Sequence, residues 1–268
     1  MTLRSGAVAV GSSAAEDRHG HGGGEEPVSG GWCRRCRAIH FLPLEHARAE
    51  SIALMSLLRV HRRIDWHLPP AMADPRCSTE PLFGEANGKM FGVLCCRDDE
   101  GRPVVLRAFS GQFNGLWHVD GWVEPLVDVA DLNELTREPE RVIKNLGAKM
   151  AQLPRESDGY RRLRQERRAH SRQLMRAVHD LYRLSNFRGE TLPLVEAFLG
   201  PGAPPSGTGD CCGPKLLAHA VRHGLWPEGM AEFYWGAGNA SGAKTHGRLY
   251  PACAAKCGKI LGFQLCGL

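Results

Sequence analysis

The residues in this sequence best suited to chemistry are cysteines near its C-terminal end. Cys211 and Cys212 follow Asp210 and come just before a predicted helix, residues 215–223, for which Asp210 is a suitable cap. The partial positive charge at a helix N-terminus favours the thiolate form of a nearby cysteine. This position therefore suits a metal ligand or a nucleophile.

A second pair of cysteines, Cys253 and Cys257, has the spacing that a helical turn brings to one face. With Cys211 or its neighbour Cys212, and with His246 as a further donor, the pair predicts a thiolate-rich tetrahedral site for zinc. The alternative interpretation is that these cysteines are buried structural thiols.

A separate Cys-x2-Cys pair, Cys33 and Cys36, lies close to His40 and His46. These four residues could form another metal site. The pair adjoins a segment predicted to be disordered, which weakens this interpretation.

One catalytic interpretation is a zinc-dependent nucleobase deaminase. Such enzymes hold zinc with a Cys or His at a helix start and with a later Pro-Cys pair, while an acidic residue moves protons. The expected metal ligands here are Cys211, Cys253 and Cys257, with Asp210 or Glu232 as the proton shuttle. Two features depart from the pattern: the usual place of the acid is occupied by Gly213, and the second cysteine pair is spaced one residue too widely.

The other catalytic interpretation is a cysteine hydrolase. Cys211 or Cys212 would be the nucleophile and His246 its base. Cysteine and histidine are both frequent in this chain, so the coincidence of the two is weak support.

Arginines are concentrated in the second half of a predicted helical segment, residues 131–187. Successive helical turns would display several of them on one face, which could follow a phosphate backbone. The candidate nucleic-acid-binding residues are Arg161, Arg164, Arg167, Arg168 and Arg172. A solvated helix face is the alternative.

The elements that position these residues indicate an α+β fold. It consists of an N-terminal α/β region with a β-hairpin, an Arg-rich helical arm and a compact C-terminal αβ module with clustered cysteines, which is deaminase-like in its order of motifs. Helical periodicity covers residues 42–66, and alternating apolar runs around a polar turn predict the hairpin at residues 89–111. The expected divisions are a disordered tail at 1–30 with a His-Gly run at 19–24, the α/β region at 31–130, the arm at 131–198 and the module at 199–268.

Composition sets the class of protein. The 268 residues are 43% hydrophobic, enough for a real core, and the net charge of +5 is modest. Ten cysteines are too few for a secreted disulfide scaffold of this length, so they are interpreted as reduced thiols. With no apolar run of about 20 residues, we expect a cytoplasmic protein without a membrane span.

Three blocks occur in an order that is similar to a known family. They are GTGDCCGPKLL at residues 207–217, MAEFYWG at 230–236 and HGRLYPAC at 246–253, the last followed by Lys256 and Cys257. The hairpin runs KMFGVL at 89–94 and LRAFSG at 106–111 fit the same pattern. Over residues 40–268 the chain resembles the extension that precedes the catalytic domain in bacterial pseudouridine synthases of the RluA type.

This resemblance implies an RNA-modification context. The family's catalytic aspartate lies in an Arg-Leu-Asp motif, whereas the similar triplet here is Arg248, Leu249 and Tyr250, so no uridine isomerisation is expected from this chain. The implied function is an RNA-binding or substrate-positioning module, with rRNA or tRNA and a separate synthase domain as partners.

Overall fold

The computed structural model describes residues 28–84, 87–238 and 242–268. Most of the tail expected at residues 1–30, including the His-Gly run, lies outside the described residues. Residues 28–30 depart from that expectation because they begin a strand that pairs with residues 41–43.

The described part of the chain contains eight strands and six α-helices, and most of the strands occur in consecutive pairs. The strands are β1 (Val28–Cys33), β2 (Ala38–Pro43), β3 (Lys89–Arg97), β4 (Pro103–Phe109), β5 (Arg183–Ser185), β6 (Thr191–Pro193), β7 (Trp226–Trp235) and β8 (Leu249–Tyr250). The α-helices are α1 (Arg48–His61), α2 (Val129–Ala151), α3 (Asp158–Leu181), α4 (Leu194–Ala197), α5 (Cys212–Arg222) and α6 (Gly258–Gln264). Short 3-10 helices lie at Glu45–Ala47, Pro70–Met72, Pro75–Cys77 and Glu80–Phe83. The fold is therefore mixed α and β, with antiparallel sheets.

A four-stranded antiparallel sheet in the order β4-β3-β7-β8 forms the centre of the molecule. β3 and β4 are the predicted hairpin, which the pairing of Arg97 with Pro103 next to the turn confirms. β7 pairs with the other side of β3. Residues 91–94 of β3 are buried because the sheet is covered on both faces, which explains the continuous apolar run there.

The two faces of the sheet have separate hydrophobic cores. Phe91 and Val93 of β3 join the core that includes Leu54 and Leu58 of α1. The alternate side chains of β3, with Leu94 among them, join the core that includes α5 and α6. The predicted amphipathic helix at residues 42–66 is realised as α1 and the 3-10 turn before it.

The central sheet crosses the division expected between residues 31–130 and 199–268. β3 and β4 come from the first segment, and β7 and β8 come from the second. An isolated two-stranded hairpin cannot bury two apolar faces, so β3 needs β7 on its open side. The C-terminal segment therefore contributes two strands to the same sheet as the N-terminal segment.

Within the arm expected at residues 131–198, α2 and α3 form a pair of packed helices, whereas the last part folds as β5, β6 and α4. The Asp128 and Ser157 side chains accept N–H groups at the respective helix starts, and Pro154 lies in the break between the helices. A third core connects Leu184 and Leu194, which follow the helix pair, to Ile260 and Phe263 of α6. Even these long helices are too polar to cross a membrane, and no other helix in the described residues has the required length and apolarity.

Candidate metal centres

Cys211 and Cys212 both lie at the start of α5, but their side chains occupy different surroundings. Cys211 is the residue that caps the helix, and it is only partly buried. Cys212 is fully buried, and its Sγ lies 3.5 Å from the Met90 carbonyl oxygen. A Cβ placed on Gly92 would come within 2.5 Å of the Cys212 Cβ, so this residue packs directly on β3. Cys212 is a core residue, and Cys211 is the thiol that remains for chemistry.

The fold brings Cys211 together with Cys253 and Cys257. Side-chain hydrogen bonding connects each of the three thiols to the other two. Hydrogen bonds from Cys211 and Cys257, aided by backbone N–H groups, lower the pKa of Cys253, whereas the hydrogen bond with Cys253 raises the pKa of Cys211 to about 12. The hydrogen bonds with Cys211 and Cys253 likewise raise the pKa of Cys257. Thiols gathered in this way can bind a soft divalent metal ion when their protons leave.

Local structure holds Cys253 and Cys257 in place. Residues 254–257 form a turn rather than the regular helix that their spacing suggests, and the Gly258 N–H donates to the Cys253 carbonyl at 2.9 Å. Cys257 caps α6, and the Lys256 ammonium donates to the Ser206 carbonyl at 2.7 Å. The turn is therefore fastened both to α6 and to the loop that leads into α5.

Glu232 brings a buried carboxylate to this group of thiols. Its side chain leaves β7, is 3% exposed, and accepts the Gly213 N–H at 3.0 Å. Burial raises its pKa to about 7, against the opposing effect of the Gly213 N–H, and the charges of Cys253 and Glu232 influence one another. Gly213 is the position where the sequence pattern calls for an acid. Here a carboxylate reaches that position from the strand instead of from the helix.

Asp210 has different partners from Glu232. Its carboxylate accepts the Tyr182 hydroxyl at 2.6 Å, and its carbonyl accepts the Gly111 N–H at 2.7 Å. Burial raises the pKa of Asp210, while Tyr182 and the ammonium groups of Lys215 and Lys256 act in the opposite direction. Of the two candidate proton shuttles, Glu232 is the one in electrostatic contact with the thiols.

His246 does not join the thiols. Its Nδ1 accepts the Gly236 N–H at 3.1 Å, and its ring packs 4.3 Å from the ring of Trp235 and 5.1 Å from that of Phe83. Trp235 belongs to the core on the α1 side of the sheet, whereas Cys257 belongs to the core on the α5 side. The geometry thus gives no support to a base role for His246 beside Cys211, because the His246 ring packs against Trp235 on the other face of the sheet.

A cavity of about 340 Å³ opens between the arm and the loop before Cys211. Tyr182 and Asp210 contribute to its wall, together with Trp117 and His179. Among the described residues, the Trp117 Nε1 and the His179 Nε2 are buried atoms without a hydrogen-bond partner. Unpaired buried polar atoms beside a cavity are expected where a polar ligand binds.

A second group of possible metal ligands consists of Cys33, Cys36, His40 and Cys266. One donor atom from each residue lies within 4.8 Å of all the others, so the group could hold a metal ion. His46, which the sequence interpretation included, instead places its Nδ1 3.0 Å from the Glu228 carbonyl oxygen. Cys266 takes its place because the end of the chain returns to the β1–β2 turn, and the sequence contains no local signal for that long-range contact.

The candidate nucleic-acid-binding arginines lie on α3, and all of them are exposed: Arg161, Arg164, Arg167, Arg168 and Arg172. Arg161 forms an ion pair with Asp158 at 3.0 Å. Arg167 passes close to Gly147 of α2, with its Nε 3.8 Å from the position of a Cβ there. The arm thus presents a basic surface to solvent.

Comparisons with protein-family models, with curated proteins and with solved structures found no match to this chain. The likeness to the extension of RluA-type synthases therefore rests on the sequence blocks alone.

Proposed function

We propose that this protein is a zinc-dependent hydrolase that deaminates a nucleobase. Cys211, Cys253 and Cys257 are the proposed metal ligands, and Glu232 is the proposed proton shuttle. The observation that carries the proposal is the meeting of three thiols, from two distant parts of the sequence, with a buried carboxylate at the start of α5.

The donor set fits zinc. Thiolates are preferred zinc ligands, and three protein ligands leave one tetrahedral position for water, as in catalytic sites. When bound, the ion would supply a nucleophilic water with a lowered pKa. The same preference for sulfur and imidazole makes zinc the ion that we propose for Cys33, Cys36, His40 and Cys266.

Glu232 has the position and the surroundings of a proton shuttle. Its carboxylate would take a proton from the attacking water and deliver it to the ring nitrogen, and then assist departure of the amino group as ammonia. Water and an amino base thereby become ammonia and a base with a carbonyl group. The Gly213 N–H fixes one carboxylate oxygen, which leaves the other free to move protons.

The cavity beside Asp210 is the proposed site for the base. Trp117 offers an aromatic face and an unpaired N–H, and His179 offers an unpaired ring nitrogen. Such groups stack on a base and read its edge. Asp210 lines this cavity and comes just before Cys211, which caps α5, so the cavity lies near the start of that helix.

Replacement of Glu232 by Gln tests the catalytic role. We expect purified wild-type protein to contain zinc and to release ammonia from cytosine- or adenine-containing nucleosides or RNA. Glu232→Gln should keep the zinc and lower turnover by at least about 100-fold, since it removes general acid–base catalysis. The matched control is Glu228→Gln on the same strand, whose carboxylate pairs with Arg97 at the surface and which should retain full activity. Undiminished turnover in Glu232→Gln, or zinc-loaded protein without deaminase activity, would contradict the proposal.

A non-catalytic role as an RNA-binding or positioning module is the second candidate, and the exposed arginines of α3 favour it. The arm would contact phosphates of rRNA or tRNA, and a separate pseudouridine synthase domain would carry out the chemistry. Each neutralised phosphate releases counterions, so binding should weaken steeply with salt.

This role predicts a specific change in the salt dependence. Replacing Arg161, Arg164 and Arg168 together by Gln should reduce the slope of log Kd against log salt by about two to three, roughly one per lost phosphate contact. The control removes the same charge elsewhere by changing the exposed residues Arg48, Arg59 and Arg102, and should leave the slope unchanged. Equal slopes in the two triple variants would exclude the arm as the RNA-binding surface.

A further inference from the structure

We infer that a structural zinc site attaches the N-terminal hairpin to the segment that follows α6; its ligands are Cys33, Cys36, His40 and Cys266. This attachment also holds Cys257, at the other end of α6, in position beside Cys211 and Cys253. Metal binding by the four residues is independent of the proposed deamination. The effect on Cys257 rests on that function, because it concerns the proposed catalytic ligands.

The arrangement of the sulfur atoms suits a single ion. Cys36 Sγ lies 3.3 Å from Cys266 Sγ, and all four donor atoms lie within 4.8 Å of one another. Zinc with four bonds of about 2.0–2.3 Å in a tetrahedron separates its ligand atoms by roughly 3.5–3.8 Å. The four side chains therefore need only small adjustments to surround one ion.

The turn between β1 and β2 is built to present two thiolates. The Cys36 N–H points to Cys33 Sγ at 3.5 Å, and the Arg37 N–H donates to the Cys33 carbonyl at 2.9 Å. Arg37 adopts a left-handed backbone conformation, with φ of 53°, which tightens the turn. An N–H directed at a sulfur stabilises negative charge there, as a thiolate ligand requires.

His40 supplies an independent indication of a ligand. Its Nε2 is buried and is one of the polar side-chain atoms that have no hydrogen-bond partner in the described part of the chain. A buried imidazole nitrogen without a partner loses its hydration without compensation, and coordination of an ion would supply that compensation. Three thiolates and one imidazole are a common structural zinc set.

The surrounding charge also fits. Three thiolates and one divalent ion leave a net charge of −1. The Arg188 guanidinium approaches Cys36 Sγ at 4.0 Å, in a turn that also contacts the hairpin through the ion pair of Glu190 with Arg35. Gly267, next to Cys266, packs against the backbone of the same turn. A cation outside the ligand set therefore balances the charge that would remain.

α6 connects the two groups of cysteines. It starts immediately after Cys257 and ends two residues before Cys266. Its backbone touches β1 so closely that a Cβ on Gly262 would lie 2.1 Å from the Trp32 carbonyl oxygen. The Ala252 N–H, one residue before Cys253, donates to Ser29 Oγ of β1 at 3.0 Å. An ion at the end of α6 would thus hold the strand that supports the turn containing Cys253 and Cys257.

Metal analysis of single-cysteine variants tests the site. We expect two zinc ions per wild-type chain, one in Cys266→Ser, one in Cys253→Ser and none in the double variant. Cys95→Ser, a cysteine of β3 outside both groups, is the matched control and should keep two. Unchanged zinc content in Cys266→Ser would overturn the inference, and so would a Cys36–Cys266 disulfide in metal-free protein.

The pattern of loss separates this inference from the proposed function. If the wild-type chain binds one zinc ion that is lost in Cys266→Ser and kept in Cys253→Ser, the structural site is supported and the catalytic site is excluded. If that ion is kept in Cys266→Ser and lost in Cys253→Ser, the catalytic site is supported and the structural site is excluded. If Cys266→Ser does not fold, cobalt replaces zinc in the wild-type chain and in His40→Asn. The visible absorption bands of cobalt with three thiolates and one imidazole should be present in the wild type and altered in His40→Asn, and identical spectra would overturn the inference.

Hydrogen exchange tests the mechanical coupling. In Cys266→Ser we expect faster amide exchange in β1 and at Ala252 and Cys257, because the ion that attaches the hairpin to the end of α6 is lost. In Cys253→Ser the exchange in β1 should match the wild type, since the hairpin keeps its own ion. Unchanged exchange at Ala252 and Cys257 in Cys266→Ser would remove the positioning role.

Discussion

At the scale of single residues, Asp210 shows how the fold accommodates a partly buried carboxylate beside a candidate site. Tyr182 donates a hydroxyl hydrogen bond of 2.6 Å to it, and the cations Lys215 and Lys256 act from farther away. Burial penalises the charged form, and these partners offset that cost in part. Tyr182 also lines the cavity to which Asp210 contributes.

Removal of that hydroxyl should be costly. Tyr182→Phe is expected to reduce the free energy of unfolding by about 2 kcal/mol, because a partly buried carboxylate loses a hydrogen-bond donor. The matched control is Tyr234→Phe, which removes a 2.8 Å hydrogen bond to the neutral carbonyl of Ala237 and should cost about 1 kcal/mol. Urea unfolding at pH 7 measures both. A smaller loss in Tyr182→Phe than in Tyr234→Phe would show that Asp210 does not depend on this donor.

The sequence identified several residues of the thiol group but not all of the second metal group. Cys211, Cys253 and Cys257 were recognisable because each is adjacent to a helix start or has a regular spacing. Glu232 was named only as one of two acids, since the choice between them depends on which face of β7 meets Gly213. Cys266 was missed because its partners lie at the opposite end of the chain and no local pattern records the contact.

At the scale of elements, the contact between β1 and α6 depends on glycine. Gly31 and Gly262 let the two backbones approach, with a Cβ on Gly31 only 2.3 Å from the Gly258 carbonyl oxygen. No side chain of any size fits between them without moving the strand from the helix. The glycine-rich start of β1, which the sequence interpretation assigned partly to a disordered tail, is therefore required by packing.

This close approach predicts different outcomes for two glycines of the same helix. Gly262→Ala should destabilise the fold by about 1–3 kcal/mol, because the new methyl group would overlap the Trp32 backbone. Gly258→Ala, where the nearest atoms lie at an ordinary contact distance of 3.7 Å, should be neutral or slightly stabilising. Thermal unfolding compares them, and equal melting temperatures would mean that β1 and α6 are not in close contact.

The bounds of elements with strong local sequence patterns could be predicted from the sequence. The bounds of strands that depend on pairing with distant segments were harder to predict. The β3–β4 hairpin and α1 follow from alternation and helical periodicity. β7 begins at Trp226, before the sequence block at residues 230–236, because its first half pairs with Cys95, Cys96 and Arg97 across an irregularity in the ladder. That extension is set by β3, far away in sequence, and not by the residues of β7 themselves.

At the scale of the whole molecule, the central sheet makes one folding unit from segments at both ends of the chain. The buried strand β3 pairs on one side with its sequence neighbour β4 and on the other with β7. Neither segment alone can cover both faces and both edges of β3. Stability is therefore a property of the complete sheet.

Separated fragments should show this dependence. We expect residues 28–198 and 199–268, each expressed alone, to lack the cooperative thermal transition of the intact chain and to regain it when mixed. The α2–α3 pair can keep helical signal in the first fragment, so near-ultraviolet circular dichroism of the buried Phe and Trp residues is the appropriate measurement. A cooperative transition in the isolated 199–268 fragment would establish an independent C-terminal domain.

The late pairing of β7 also bears on synthesis of the chain. When the ribosome has completed the arm, β3 already exists with its apolar side chains and with an edge of unpaired backbone groups, while its partner is still untranslated. Such an edge is prone to associate with other chains. We therefore expect nascent chains halted before residue 226 to bind chaperones or to aggregate. Full-length chains should do neither.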